Sequence, residues 1–151
     1  MKKKKPAIIL LAEDDPADQE LTRRALLEGK VDNELHVVND GEEALDYLLR
    51  KNKYTDPQTS PYPDILLLDL NMPKVDGRQV LEEIQKHPRL KFIRTIVLTT
   101  SKQEEDILRS YNLGINSYIT KPIVLDEFFK TIATLQEYWL QIVKLPPKKG
   151  S

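Results

Sequence analysis

A three-layer α/β/α sandwich built on a five-stranded parallel sheet is the fold this sequence predicts, from three observations. Short runs rich in Ile, Val and Leu alternate five times with amphipathic stretches, the order expected of parallel strands joined by right-handed helical crossovers. Runs such as ILLLDL are apolar on consecutive residues, as strands buried on both faces require. Four of the runs end on polar residues that suit one crevice: Glu13-Asp14-Asp15, Asp69, Thr99 and Lys121. In an open α/β sheet the carboxyl ends of the strands converge where ligands bind.

In chain order, AIILLA is the first strand and PADQELTRRALLEG the first helix. Asp15 reads as its N-cap, Pro16 as its first residue, Asp18 as a first-turn acid facing the macrodipole, and Gly29 as its C-cap. ELHVVN and GEEALDYLLRKN follow as strand and helix. KNKYTDPQTSPYP, residues 51–63, holds three prolines and no periodicity, so it is a long surface loop. DILLLDL and GRQVLEEIQK form the third pair, and TIVLTT and KQEEDILRSYNLG the fourth, with Gly114 as a C-cap. NSYIT is the last strand, and LDEFFKTIATLQEYWLQIV a long final helix.

One domain is all that 151 residues support, taken as residues 7–145 between a basic tail (1–6) and a short terminal tail (146–151). A net charge of -1 gives no whole-chain basic excess to hold nucleic acid. The absence of cysteine removes disulfides, thiolate zinc sites and thiol catalysis, and two isolated histidines do not make a metal site. The apolar runs fall short of the ~20 residues of a membrane span, and MKKKKP does not open a secretory signal, so a cytoplasmic protein with no membrane or nucleic-acid partner is expected.

Acids closing neighbouring strands repel. At ~4 Å and an effective dielectric of ~20, each close carboxylate pair costs roughly 4 kcal/mol, so the cluster holds protons, forms salt bridges or binds a cation. Oxygen ligands alone favour Mg²⁺, with Mn²⁺ as the alternative. With Asp15 assigned to capping, Glu13 and Asp14 form the metal pair. Asp69 closes the third strand before Asn71-Met72-Pro73 and reads either as a turn residue or, beside a metal, as a carboxylate able to attack phosphorus. Thr99 and Lys121 read either as ordinary strand-end residues or as a hydroxyl and an ammonium for phosphoryl oxygens.

The acidic pair after strand one, DLNMPKVDG from Asp69 to Gly77, LTTS from Leu98 to Ser101 and YITKP from Tyr118 to Pro122 resemble a response-regulator receiver domain of two-component signalling. The resemblance implies the flavodoxin-like, doubly wound sheet with strand order 2-1-3-4-5. It implies phosphorylation of Asp69 by a sensor histidine kinase, and Mg²⁺ held by Glu13, Asp14, Asp69 and the backbone carbonyl of Asn71. It places Thr99, rather than Thr100, and Lys121 on the phosphoryl group, with a cis Lys121-Pro122 bond. Thr99 and Tyr118 are the expected switch residues, and Asn71 and Ser101 the positions that tune dephosphorylation. Such a protein catalyses only its own phosphorylation and dephosphorylation.

The loop at 51–63, the NDGEEAL run from Asn39 to Leu45 and the ending YWLQIVKLP from Tyr138 to Pro146 resemble the single-domain regulators paired with bacterial phytochrome kinases, which implies a phytochrome partner. The last helix carries more apolar residues than one core-facing stripe needs. A homodimer is therefore expected on the face of helix four, strand five and helix five, with Phe128 and Trp139 contributing. Three other readings are weaker. A flavin carrier needs an N–H-lined phosphate loop where the three acids stand. An aspartate-nucleophile phosphohydrolase carries its nucleophile on strand one. A degenerate receiver acting as an unphosphorylated binding module would not need the intact constellation.

Overall fold

The computed structural model describes residues 6–28, 32–72, 74–131 and 134. The described residues form five parallel strands, β1 Ala7–Ala12, β2 Asn33–Val38, β3 Ile65–Asp69, β4 Arg94–Thr99 and β5 Ser117–Thr120, in the order β2-β1-β3-β4-β5. Between them lie α1 Pro16–Glu28, α2 Gly41–Leu48, α3 Gly77–Lys86 and α4 Lys102–Arg109, and residues 125–131 begin a fifth helix, α5. Every strand pairing is parallel, with Ala12 opposite Leu68, Asp69 opposite Leu98 and Thr99 opposite Thr120.

The apolar runs are explained by two cores, one on each face of the sheet. Leu10, Ala12, Leu66, Leu68 and Val97 point to the face covered by α2, α3 and Leu108 of α4. Ile9, Leu11, Ile65, Leu67, Ile96 and Leu98 point to the other, where Ala25 and Leu26 of α1 and Phe128 of α5 cover them. Alternate residues of one strand thus serve opposite cores, each large side chain contributing roughly 2 kcal/mol of transfer free energy.

Phe128 was expected on an intermolecular face, but it is fully buried and packs within its own domain, flanked by the half-buried Leu125 and Phe129. The surplus of apolar residues is therefore absorbed in part by the α1–α5 side of the core. Trp139 lies outside the described residues, as do Gly29, residues 1–5 of the basic tail and the terminal tail. Helices α2 and α4 are shorter than the sequence pattern. Arg50 and Asn52 at positive φ turn the chain after α2, and α4 ends at Ser110, so Gly114 (φ 74) sits in the following loop rather than as a cap. Asp15 does cap α1: its Oδ1 accepts from Ala17 N at 2.9 Å, and its carbonyl takes the first helical bond from Gln19 N.

The loop at 51–63 is a surface segment tied down at several points. It contains a short 3₁₀ turn, Asn52–Tyr54, and Tyr54 donates its hydroxyl to Glu43. Tyr47 Oη donates to Pro61 O at 2.7 Å, and Arg50 donates to Ser60 O while lying 4.0 Å over the Tyr62 ring. Its lack of periodicity reflects irregular backbone that side chains satisfy.

Candidate functional site

Backbone hydrogen bonds continue the sheet one residue past several strands and set the site. Glu13 N donates to Val38 O, Leu70 N to Leu98 O at 2.9 Å and Lys121 N to Thr99 O at 2.7 Å. Glu13, Asp69, Thr99 and Lys121 therefore stand on rigid strand ends, as their spacing predicts. The peptide between Lys121 and Pro122 is cis. Gly77 N donates to Leu70 O, and a Cβ at Gly77 would lie 2.8 Å from Leu70 Cα, so only glycine lets α3 begin this close behind Asp69.

Glu13 and Asp69 are buried and Asp14 is exposed, yet the three offer carboxylate oxygens within 4.8 Å of one another. Lys121 is the counter-charge. Its Nζ lies 2.8 Å from Glu13 Oε1, 3.0 Å from Asp18 Oδ2 and 3.2 Å from Asp69 Oδ2. Burial opposes the ammonium charge, but Glu13, Asp18 and Asp69 outweigh it and hold the Lys121 pKa above its usual value. Burial likewise raises the Glu13 carboxyl; Lys121 pulls it back and Asp69 raises it further, leaving it at about 7.

The acid cluster fits a divalent cation on an observation independent of its composition. Glu13 Oε1 is buried and, among the described residues, is met by the Lys121 ammonium at 2.8 Å. Its other oxygen accepts from Asp15 N at 3.2 Å, and Gln19 Nε2 donates to the Glu13 carbonyl, so the residue is clamped with Oε1 against Lys121. Lys121 meets that oxygen, but one ammonium is shared by Glu13, Asp18 and Asp69, so the cluster keeps an excess of negative charge that a cation would offset.

Asp69 Oδ1 accepts from Asn71 N at 3.1 Å, and Asn71 itself is exposed. Thr99 is fully buried and its hydroxyl is engaged at the start of α4: it donates to Glu104 Oε1 at 2.9 Å and accepts from Ser101 N at 3.1 Å. Ser101 is the N-cap of α4. Tyr118 is half-buried on the edge strand β5, packed against the Leu108 core, with the Arg109 guanidinium 4.4 Å over its ring. Burial raises its pKa.

Sequence reasoning missed two of these partners. Asp18 serves as more than a helix-dipole acid, because it is a third carboxylate on Lys121, beside Glu13 and Asp69. Glu104 had no assigned role. Its only sequence signal is its place three residues after Ser101, which reads as helix capping.

The family model described as "Response regulator receiver domain" matches residues 9–133. Response regulator Rcp1 of Synechocystis sp. is 43% identical over 141 residues, which are 93% of this chain and 94% of Rcp1. The Mn(2+)-bound form of Rcp1 superposes with a TM-score of 0.73 over 93% of this chain and 99% of its own. The phosphorylated cyanobacterial phytochrome response regulator RcpA superposes with a TM-score of 0.75 at 43% identity, over 90% of this chain and 95% of its own. The bacteriophytochrome response regulator RtBRR does so at 0.79 and 42% identity, over 85% and 77%. A family match over most of the chain, with relatives this similar along nearly its whole length, establishes that the chain belongs to the response regulator receiver domain family.

Proposed function

We propose that the chain is phosphorylated on Asp69 by a sensor histidine kinase and signals by the conformational change that follows. The observation that carries this reading is the setting of Asp69: a buried carboxylate at a rigid strand end, 3.2 Å from an ammonium and within 4.8 Å of the carboxylate oxygens that Glu13 and Asp14 offer. An Asp69 oxygen attacks phosphorus, the P–N bond of the donor phosphohistidine breaks, and the imidazole leaves with the bonding electron pair. Glu13, Asp14, Asp69 and the Asn71 carbonyl would hold Mg²⁺ or Mn²⁺. When bound, that ion would supply charge neutralisation for the phosphoryl transfer. The metal-bound form of Rcp1 and the phosphorylated form of RcpA support the reading by similarity.

Lys121 neutralises the incoming group from the position it already holds, and Thr99 offers a hydroxyl once released from Glu104. Tyr118 reports the change at β5, and Asn71 and Ser101 lie where they can shape access of water to the acyl phosphate. The phytochrome relatives point to a phytochrome as the kinase. A homodimer on the α4–β5–α5 face is proposed without Phe128; Val124, half exposed after β5, remains available on it. Borohydride reduction after treatment with acetyl phosphate and Mg²⁺, followed by peptide mapping, tests the site: homoserine at position 69 supports it, and homoserine at another aspartate overturns it.

A further inference from the structure

Helices α3 and α4 begin with the same spacing and end their caps differently. On α3 the capping box is closed: Gln79 N donates to Asp76 Oδ1 at 3.1 Å, and Asp76 N donates to Gln79 Oε1 at 3.2 Å. On α4, Glu104 N donates to Ser101 Oγ at 3.1 Å, but the return half is missing. The Thr99 hydroxyl is inserted into it. Ser101 N donates to Thr99 Oγ1 at 3.1 Å, and Thr99 Oγ1 donates to Glu104 Oε1 at 2.9 Å, with Ser101 O a weaker acceptor at 3.3 Å. We infer that Glu104 is a positioning residue that holds the Thr99 hydroxyl out of the phosphoryl site and releases it by closing its own capping box.

The energetics make this an exchange rather than a loss. Thr99 is fully buried, so its hydroxyl cannot leave one partner for water; it needs another acceptor, and a phosphoryl oxygen is one. On release, Ser101 N loses its acceptor. The Glu104 carboxylate, already on the same turn, can take that N–H directly, as Gln79 takes Asp76 N on α3. Both states then leave the α4 N-terminus satisfied: the carboxylate trades a charge-assisted bond from the Thr99 hydroxyl for one from Ser101 N, and the hydroxyl is the stronger donor of the two. The carboxylate thus opposes activation by the difference between these two bonds, and removing its charge shrinks that difference and shifts the balance toward the phosphorylated form.

This inference rests on the phosphoacceptor reading of Asp69, and the test separates the two. Beryllofluoride with Mg²⁺ is titrated into the wild type, Glu104→Gln, Thr99→Ala, the double variant Thr99→Ala/Glu104→Gln, and Asp69→Asn. Glutamine keeps an acceptor for the cap and loses the charge. Because only the difference between two charge-assisted bonds is removed, Glu104→Gln should tighten binding about twofold in the wild-type background. In the Thr99→Ala background the same change should have no effect, and Thr99→Ser should restore it. Equal tightening with and without Thr99 would mean that Glu104 acts only through its charge, and it overturns the inference. No tightening in either background also overturns it. Failure of the wild type to bind, or binding equal to that of Asp69→Asn, overturns the phosphoacceptor reading and the inference with it.

Discussion

Lys121 reaches from the end of β5 to place its ammonium 3.2 Å from Asp69 Oδ2 and 2.8 Å from Glu13 Oε1, and its side chain is only 11% exposed. One cation therefore compensates two buried acids, with Asp18 as a third partner at 3.0 Å. Replacing it with methionine keeps most of the packing and removes the charge. Breaking a buried ion pair in this way costs about 3 kcal/mol, so Lys121→Met should lower the urea midpoint by a corresponding amount. The loss should be larger at pH 8 than at pH 5, where the Glu13 carboxyl holds its proton. Urea unfolding at the two pH values checks this.

Glu13 supplies a pH dependence of its own in metal-free protein. Its folded-state pKa is raised by burial from the ordinary 4.5 to about 7. A raised pKa means that the folded state binds the proton more tightly than the unfolded chain. The favourable contribution is complete below the unfolded value and fades as pH rises through the folded one. Metal-free protein should therefore lose stability between pH 5 and 8 by a few kcal/mol at most, and Glu13→Gln should flatten that slope. Urea midpoints across this range for both proteins provide the measurement.

Gly77 starts α3 so close behind β3 that a Cβ would stand 2.8 Å from Leu70 Cα and 3.0 Å from the Asp69 carbonyl oxygen. Both contacts are backbone and cannot swing aside. Gly77→Ala should destabilise by about 2 kcal/mol through overpacking and slow acetyl phosphate labelling by displacing Asp69. Unfolding and labelling-rate measurements on one variant test both effects.

Phe128 is fully buried beside Ile9, Leu11 and Leu26. Phe128→Ala should cost about 4 kcal/mol from lost transfer energy and the cavity left behind, and Phe128→Leu much less. Neither the self-association of the folded protein nor its dependence on beryllofluoride should change in Phe128→Leu. Sedimentation velocity of that variant checks the assignment of Phe128 to the core.

The fold was legible because parallel strands buried on both faces produce consecutive apolar runs, and each run stops where the strand meets the crevice. Asp69, Thr99 and Lys121 could be picked out by that punctuation, and Glu13 by its place among acids with no other local use. Side-chain partners were not legible. Asp18 and Lys121 are 103 residues apart, and nothing local distinguishes an acid facing a helix dipole from one that also binds a lysine. Glu104 sits where a capping residue is expected, and only the structure shows its carboxylate diverted to Thr99. Phe128 was misassigned because a tally of apolar positions does not say how wide a stripe the neighbouring α1 will cover. The helix ends were missed where Arg50 and Asn112 adopt positive φ, a conformation that their residue types do not announce.

The most direct measurement is intact mass after incubation with acetyl phosphate, with and without Mg²⁺, for the wild type and Asp69→Asn. The wild type should gain the mass of one phosphoryl group in the presence of Mg²⁺ and none after chelation, and Asp69→Asn should gain none. No addition to the wild type, or equal addition to both proteins, would contradict Asp69 as the phosphoacceptor.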